Sequence, residues 1–118
     1  MNQTGRDSLD EIKRRSGEFV NARNWQTYQT PKNLSMAMAV EAAELLEHFQ
    51  WLSEAESMAP DSGKREEIAE ELSDVLIYIV RIADVLDIDL ATSALNKIAR
   101  NEEKYPRGRA SEGPVRQR

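Results

Sequence analysis

Apolar residues recur at helical spacing in four stretches of this sequence, and nowhere do they alternate in the two-residue rhythm of a strand. Leu9, Ile12, Phe19 and Val20 mark the first stretch, and Ser8-Leu9-Asp10-Glu11 matches a capping box, which predicts a helix from Ser8 that fades by Asn24. Trp25 to Pro31 reads as a connection with Tyr28 in its middle. Thr30-Pro31, or alternatively Asn33, caps a second helix that carries Met38, Leu45, Phe49 and Leu52 and is expected to reach about Ser53. Met58-Ala59-Pro60-Asp61-Ser62-Gly63 is the clearest breaker. A third helix follows, from about Lys64 to Leu86. Its Val75, Leu76, Ile77, Ile79, Val80 and Ile82 leave little polar face, so it is expected to be the central helix, covered on several sides. A four-helix monomer can hardly cover it, which points to a dimer. Asp89 caps a fourth helix with Leu90, Ala94, Leu95 and Ile98, ending near Tyr105-Pro106. The expected fold is an all-α four-helix bundle in one domain, residues 1–106. A basic tail at residues 107–118 is rich in Arg, Gly and Pro and is expected to be disordered.

Two acidic pairs interrupt the apolar pattern. Glu41-Ala42-Ala43-Glu44 lies in the second helix and Glu71-Leu72-Ser73-Asp74 in the third. Spacing of i,i+3 sets both members of a pair on nearly one face, a turn apart. Carboxylates are almost never buried without partners, and four of them between two packed helices repel one another strongly. Either some stay protonated or a divalent cation neutralises them. Oxygen ligands alone suit Mg²⁺, with Mn²⁺ as a substitute, rather than zinc or copper.

Composition narrows the function classes. The 118 residues contain no cysteine, which removes disulfides and thiolate metal sites and makes a cytoplasmic location the expected one. The amino-terminal segment is polar and charged with no apolar core of a signal peptide, and the run from Val75 to Val80 is too short to span a bilayer. The net charge of −5 splits into +3 from Pro106 onward and −8 before it. So acidic a body is a poor surface for a nucleic-acid polymer, yet it can hold phosphates through bridging cations.

These residues resemble a known family. Glu41-x-x-Glu44 followed by Glu71-x-x-Asp74 is the ExxE…ExxD signature of the MazG-like all-α nucleoside triphosphate pyrophosphohydrolases, and the dCTP pyrophosphatase branch is the nearer match. The resemblance runs from about Leu9 to Pro106. It includes Arg23-Asn24-Trp25, Pro31-Lys32-Asn33-Leu34, Phe49-Gln50-Trp51, Glu70 through Tyr78 and Lys104-Tyr105-Pro106. The resemblance implies a Mg²⁺-dependent enzyme that cleaves a nucleoside triphosphate, dCTP or a modified dCTP first, to the monophosphate and pyrophosphate. It also implies a helical bundle assembled as a homodimer or a dimer of dimers, with a role in cleaning the nucleotide pool. Glu41, Glu44, Glu71 and Asp74 would hold the metals, and Glu44 or Glu47 would accept the proton from the attacking water.

The remaining site candidates follow from the same likeness. Trp25 and Trp51 match positions lining the nucleobase pocket, although large aromatics in general are core or interface residues. Tyr78 stands one turn after Asp74, as fit for a structural role as for a phosphate or sugar contact. Lys97, Asn101 and Tyr105 share one face of the fourth helix and match substrate-facing positions. The lone His48 reads as a core or boundary group. Ser16 stands where the animal enzymes have a pocket histidine, so dUTP or another non-standard nucleotide is an alternative substrate. A di-iron carboxylate bundle would need Glu-x-x-His motifs, which the single histidine, with Leu45 three residues before it, does not supply. A non-catalytic helical interaction module is the rival from a different class.

Overall fold

The computed structural model describes residues 4–108. Among them are five α-helices, one 3-10 turn and no strand: α1 (Thr4–Ala22), the turn Gln26–Tyr28, α2 (Pro31–Glu47), α3 (Glu54–Ser57), α4 (Ser62–Val85) and α5 (Leu90–Lys104). All-α is the expected class, and α3 is an addition to the four expected helices. No helix among the described residues is long and apolar enough to cross a membrane. The expected disordered tail falls, from residue 109 onward, outside the described residues.

Side-chain caps fix most of the helix starts. Thr30 Oγ1 accepts the Asn33 backbone N–H at 3.2 Å, and Pro31 occupies the first turn, where a missing donor costs nothing. Thr30 is therefore the cap. Asn33 instead donates its side-chain amide to the Tyr28 carbonyl at 3.1 Å and ties the 3-10 turn to α2. Asp61 caps α4 through Lys64 N–H at 2.8 Å, and Asp89 caps α5 through Thr92 N–H at 3.1 Å.

Two expected boundaries move. The first helix starts at Thr4 rather than Ser8 and leaves Ser8 inside it. The second helix ends at Glu47, not near Ser53. There the chain tightens: His48 and Phe49 N–H groups bond to the carbonyls of Leu45 and Leu46, three residues back. Ser53 then opens α3 with a reciprocal capping box to Glu56.

The C-termini of α1 and α4 share one device. Asn24 and Asp87 adopt φ of 56° and 57°. Trp25 N–H bonds to Val20 carbonyl at 3.1 Å and Ile88 N–H to Ala83 carbonyl at 2.8 Å, each completing a Schellman cap with the bond one residue earlier, from Asn24 to Asn21 and from Asp87 to Asp84. Glycine is the usual occupant of that left-handed position. Replacing Asp87 by Gly is expected to stabilise the protein by about 0.5–1 kcal/mol, measured from the urea midpoint. A lowered midpoint would mean that the Asp87 side chain itself holds structure.

The chain divides after Ile88 into two compact units. In the first, α4 packs chiefly on α2 and next on α1. Its buried apolar residues come from those three helices: Val20 from α1, Leu34 from α2, Val80 and Ala83 from α4. Within this unit α4 is the helix that α1 and α2 share, as expected from its apolar circumference, but Leu72, Ile77 and Val85 remain exposed on it. The second unit contains α5. Asn101 and Tyr105 are half-buried there and Lys97 is exposed.

Candidate functional site

Packing of α2 on α4 assembles three carboxylates. Glu41 and Glu44 on α2 and Glu71 on α4 each offer an oxygen, and these three oxygens lie within 4.8 Å of one another. Asp74, the fourth acid of the sequence pattern, is exposed one turn beyond Glu71 and outside that group of three. Glu47 also lies outside it. Glu41 and Glu71 are half-buried and Glu44 is exposed, so solvent reaches the cluster from the Glu44 side.

The cluster is electrostatically unsatisfied. Glu71 Oε1 is buried and has no hydrogen-bond partner. Its neighbours are acceptors when ionised, so an ionised Glu71 meets only repulsion there. A proton on Glu71 lets it donate to Glu41, and this bond is the largest cause raising the Glu71 pKa to about 7. Desolvation comes next, followed by hydrogen bonding and charge repulsion from Glu44 and then charge repulsion from Glu41. An orphaned oxygen, two facing carboxylates and a group that stays half-protonated near neutrality fit a hard divalent cation, which replaces the proton and accepts all three ligands.

The aromatic candidates stand apart in character. Trp51 follows α2 in the tightened segment and is 86% exposed, while its neighbour Phe49 is half-buried. Trp25 is 42% exposed and packs edge-to-face against Phe19, with ring centroids 5.6 Å apart and planes at 74°. The Arg23 guanidinium lies 3.7 Å from the Phe19 centroid and donates to the Phe19 carbonyl, so Trp25 stands on a braced platform. Tyr78 is half-buried on α4, and Ser16 is half-buried on α1 with its hydroxyl bonded to the Lys13 carbonyl at 3.2 Å.

His48 performs the boundary role expected of it. Its Nδ1 lies 3.3 Å from Lys64 Nζ and 4.0 Å from Glu67, linking the end of α2 to the start of α4. In α5, Lys97, Asn101 and Tyr105 keep helical spacing to the end of the helix, where the Tyr105 N–H bonds to the Asn101 carbonyl at 2.8 Å. One charged residue is not singled out by spacing alone. Arg81 is 8% exposed in the apolar half of α4, and its signal is the lone charge between Val80 and Ile82 with an acid three residues on.

Comparison with known proteins gives a consistent kinship. The chain is 40% identical over 101 residues to rat dCTP pyrophosphatase 1 and 40% identical over 101 residues to the human protein of that name, in both cases over 84% of this chain. It spans 59% of the length of each of these relatives. Among solved structures, a pyrophosphatase from Archaeoglobus fulgidus superposes with a TM-score of 0.75 at 37% identity, over 91% of this chain and 96% of that one. The MazG-like family model matches residues 36–113, which include all three clustered carboxylates. With two thirds of its length matched and its acidic signature on two packed helices, this chain belongs to the MazG-like family.

Proposed function

We propose that the protein is a Mg²⁺-dependent nucleoside triphosphate pyrophosphohydrolase. The observation that carries this reading is the converging trio of Glu41, Glu44 and Glu71, together with the orphaned Glu71 oxygen. Family kinship and the pyrophosphatase names of its relatives support it. Asp74 joins as a fourth ligand on the same helix as Glu71, and Mn²⁺ is an acceptable substitute.

A bound divalent cation would neutralise the triphosphate, acidify a water and favour the departing pyrophosphate. The protein's own groups do the rest. Glu41 and Glu71 fix the cluster from two helices, and Glu44, the exposed member of the trio, accepts the proton as water attacks the α-phosphorus. A P–O bond forms to that water, the bond to the α–β bridging oxygen breaks, and pyrophosphate leaves. In the first unit Trp25 and Trp51 contact the base and Tyr78 the sugar or phosphates; Lys97, Asn101 and Tyr105 in the second unit are substrate-binding candidates by family resemblance. The preferred substrate is dCTP or a modified dCTP, with dUTP or another non-standard nucleotide as the alternative that Ser16 keeps open. A cytoplasmic role in nucleotide-pool cleaning accords with that chemistry.

The assembly proposed is a homodimer or a dimer of dimers. Among the described residues the buried apolar side chains are Val20, Leu34, Val80 and Ala83, a small core, and Met36, Val40 and Ala43 form an exposed stripe on α2. A second copy is the natural cover for it.

Purified protein with Mg²⁺ and dCTP is expected to yield dCMP and pyrophosphate, separated by ion-exchange chromatography, with 5-methyl-dCTP and dUTP assayed beside it. Release of orthophosphate and dCDP would refute the cleavage position. No turnover of any nucleotide, with no rise in melting temperature on adding Mg²⁺, would favour a non-catalytic interaction module.

A further inference from the structure

Arg81 is the one buried charged residue among the described side chains, and a buried ion pair is weak support for stability by itself. Its surroundings point to another use. Arg81 Nη1 donates to Asp84 Oδ2 at 2.7 Å, and Lys13 Nζ on α1 lies 4.0 Å from the other oxygen of Asp84. Where the guanidinium passes α1, the residue is Gly17. A Cβ added there would sit 3.3 Å from Arg81 Nη1 and 3.7 Å from Asp84 Oδ2. A glycine, a buried arginine, an aspartate and a lysine thus lock α1 against α4 at one crossing point.

From that crossing a stiff path leads to the aromatic platform. Val20, three residues past Gly17, is buried, and its carbonyl accepts the Trp25 N–H in the Schellman cap of α1. Phe19 packs edge-to-face on Trp25 with Arg23 above it. On the other side of the crossing, Arg81 shares α4 with Glu71. The two lie ten residues apart on one unbroken helix, so the same lock references α1 to the helix that carries the cluster.

We infer that Arg81, clamped by Asp84 and Lys13 across Gly17, is a positioning residue that sets Trp25 relative to the carboxylate-bearing helix. This rests on the proposed nucleotide reading for what Trp25 binds, but not for the clamp itself. Removing the clamp lets α1 slide on α4, so the base wall moves while the carboxylates on α2 and α4 stay in place.

The test compares Arg81→Met, which keeps the aliphatic volume, with Arg81→Lys, which can still reach Asp84. With dCTP and Mg²⁺, Arg81→Met is expected to raise KM roughly five- to twentyfold and leave kcat within about twofold, and Arg81→Lys to restore much of the loss. In a Trp51→Phe background, Trp25 is the sole tryptophan, and Arg81→Met is expected to shift its emission to longer wavelength without any nucleotide present. A fall in melting temperature with KM and Trp25 emission both unmoved would overturn the inference and leave Arg81 a stability residue. If Arg81→Met does not fold, Asp84→Asn carries the same expectation, because it removes the charge that holds Arg81 and Lys13 without changing shape. Absence of turnover by the wild type would sink the nucleotide reading alone, and the Trp25 emission would still decide the clamp.

Discussion

Glu71→Gln is expected to reduce kcat/KM by roughly a hundredfold or more, since the variant loses one of the charges that would hold the cation at the reacting phosphate. The same change is expected to leave the metal-free protein no less stable. Glutamine keeps the shape of glutamate, removes the repulsion from Glu41 and Glu44, and can donate to either of them. Loss of function with equal or higher stability is the signature of a group held in place for a ligand rather than for the fold.

A pH experiment sharpens this. Folding raises the Glu71 pKa to about 7, mainly through the hydrogen bond to Glu41 that only the protonated form can donate. Between the ordinary glutamate range and about 7 the folded chain therefore holds more protons than the unfolded one. The stability this contributes is fully present below that window and is lost as pH rises through about 7. The melting temperature of metal-free protein is expected to fall across that interval, and Glu71→Gln is expected to flatten the fall. Mg²⁺ competes with the proton, so it should lift the melting temperature most at the alkaline end. Asp74→Asn separates the two roles: its carboxylate lies outside the group of three, so it should impair turnover while leaving the pH slope intact. A slope that survives in Glu71→Gln would mean that another group titrates.

How far this site could be read from residue spacing differs element by element. The pairing of the second and third expected helices through Glu41, Glu44 and Glu71 was legible, because i,i+3 acids set within apolar helical runs are costly unless a proton or a cation neutralises them. The separation of Asp74 from the trio was not. Spacing fixes which acids share a helix face, but the roll of α4 against α2 decides which of them meet across the interface. The early end of α2 was hidden because Phe49 and Leu52 continue the apolar rhythm through residues that wind in tighter turns. Asn24 and Asp87 concealed two Schellman caps, since the usual signal is glycine. Arg81 was masked by its neighbours: a period count over Val80 and Ile82 passes over a single charge, and only the placement of Gly17 reveals where its guanidinium goes.

Trp51→Ala is expected to weaken nucleotide affinity far more than it slows chemistry. Stacking of a base on an aromatic side chain is worth roughly 1–3 kcal/mol, which converts to about a fivefold to hundredfold rise in KM, with kcat within about twofold. The structure makes this a clean test because Trp51 is 86% exposed and lends little to the fold of its own chain. Truncation should therefore move stability by no more than about 0.5 kcal/mol. An indole left so open is accounted for in two ways, by a ligand or by a second copy of the chain, and the variant separates them. A ligand contact predicts a raised KM at every protein concentration and an unchanged sedimentation profile. An interface contact predicts dissociation on dilution, with any rise in KM vanishing once the protein is concentrated enough to reassemble. An unchanged KM in an unchanged oligomer would remove Trp51 from the base pocket and leave Trp25 alone to hold the base.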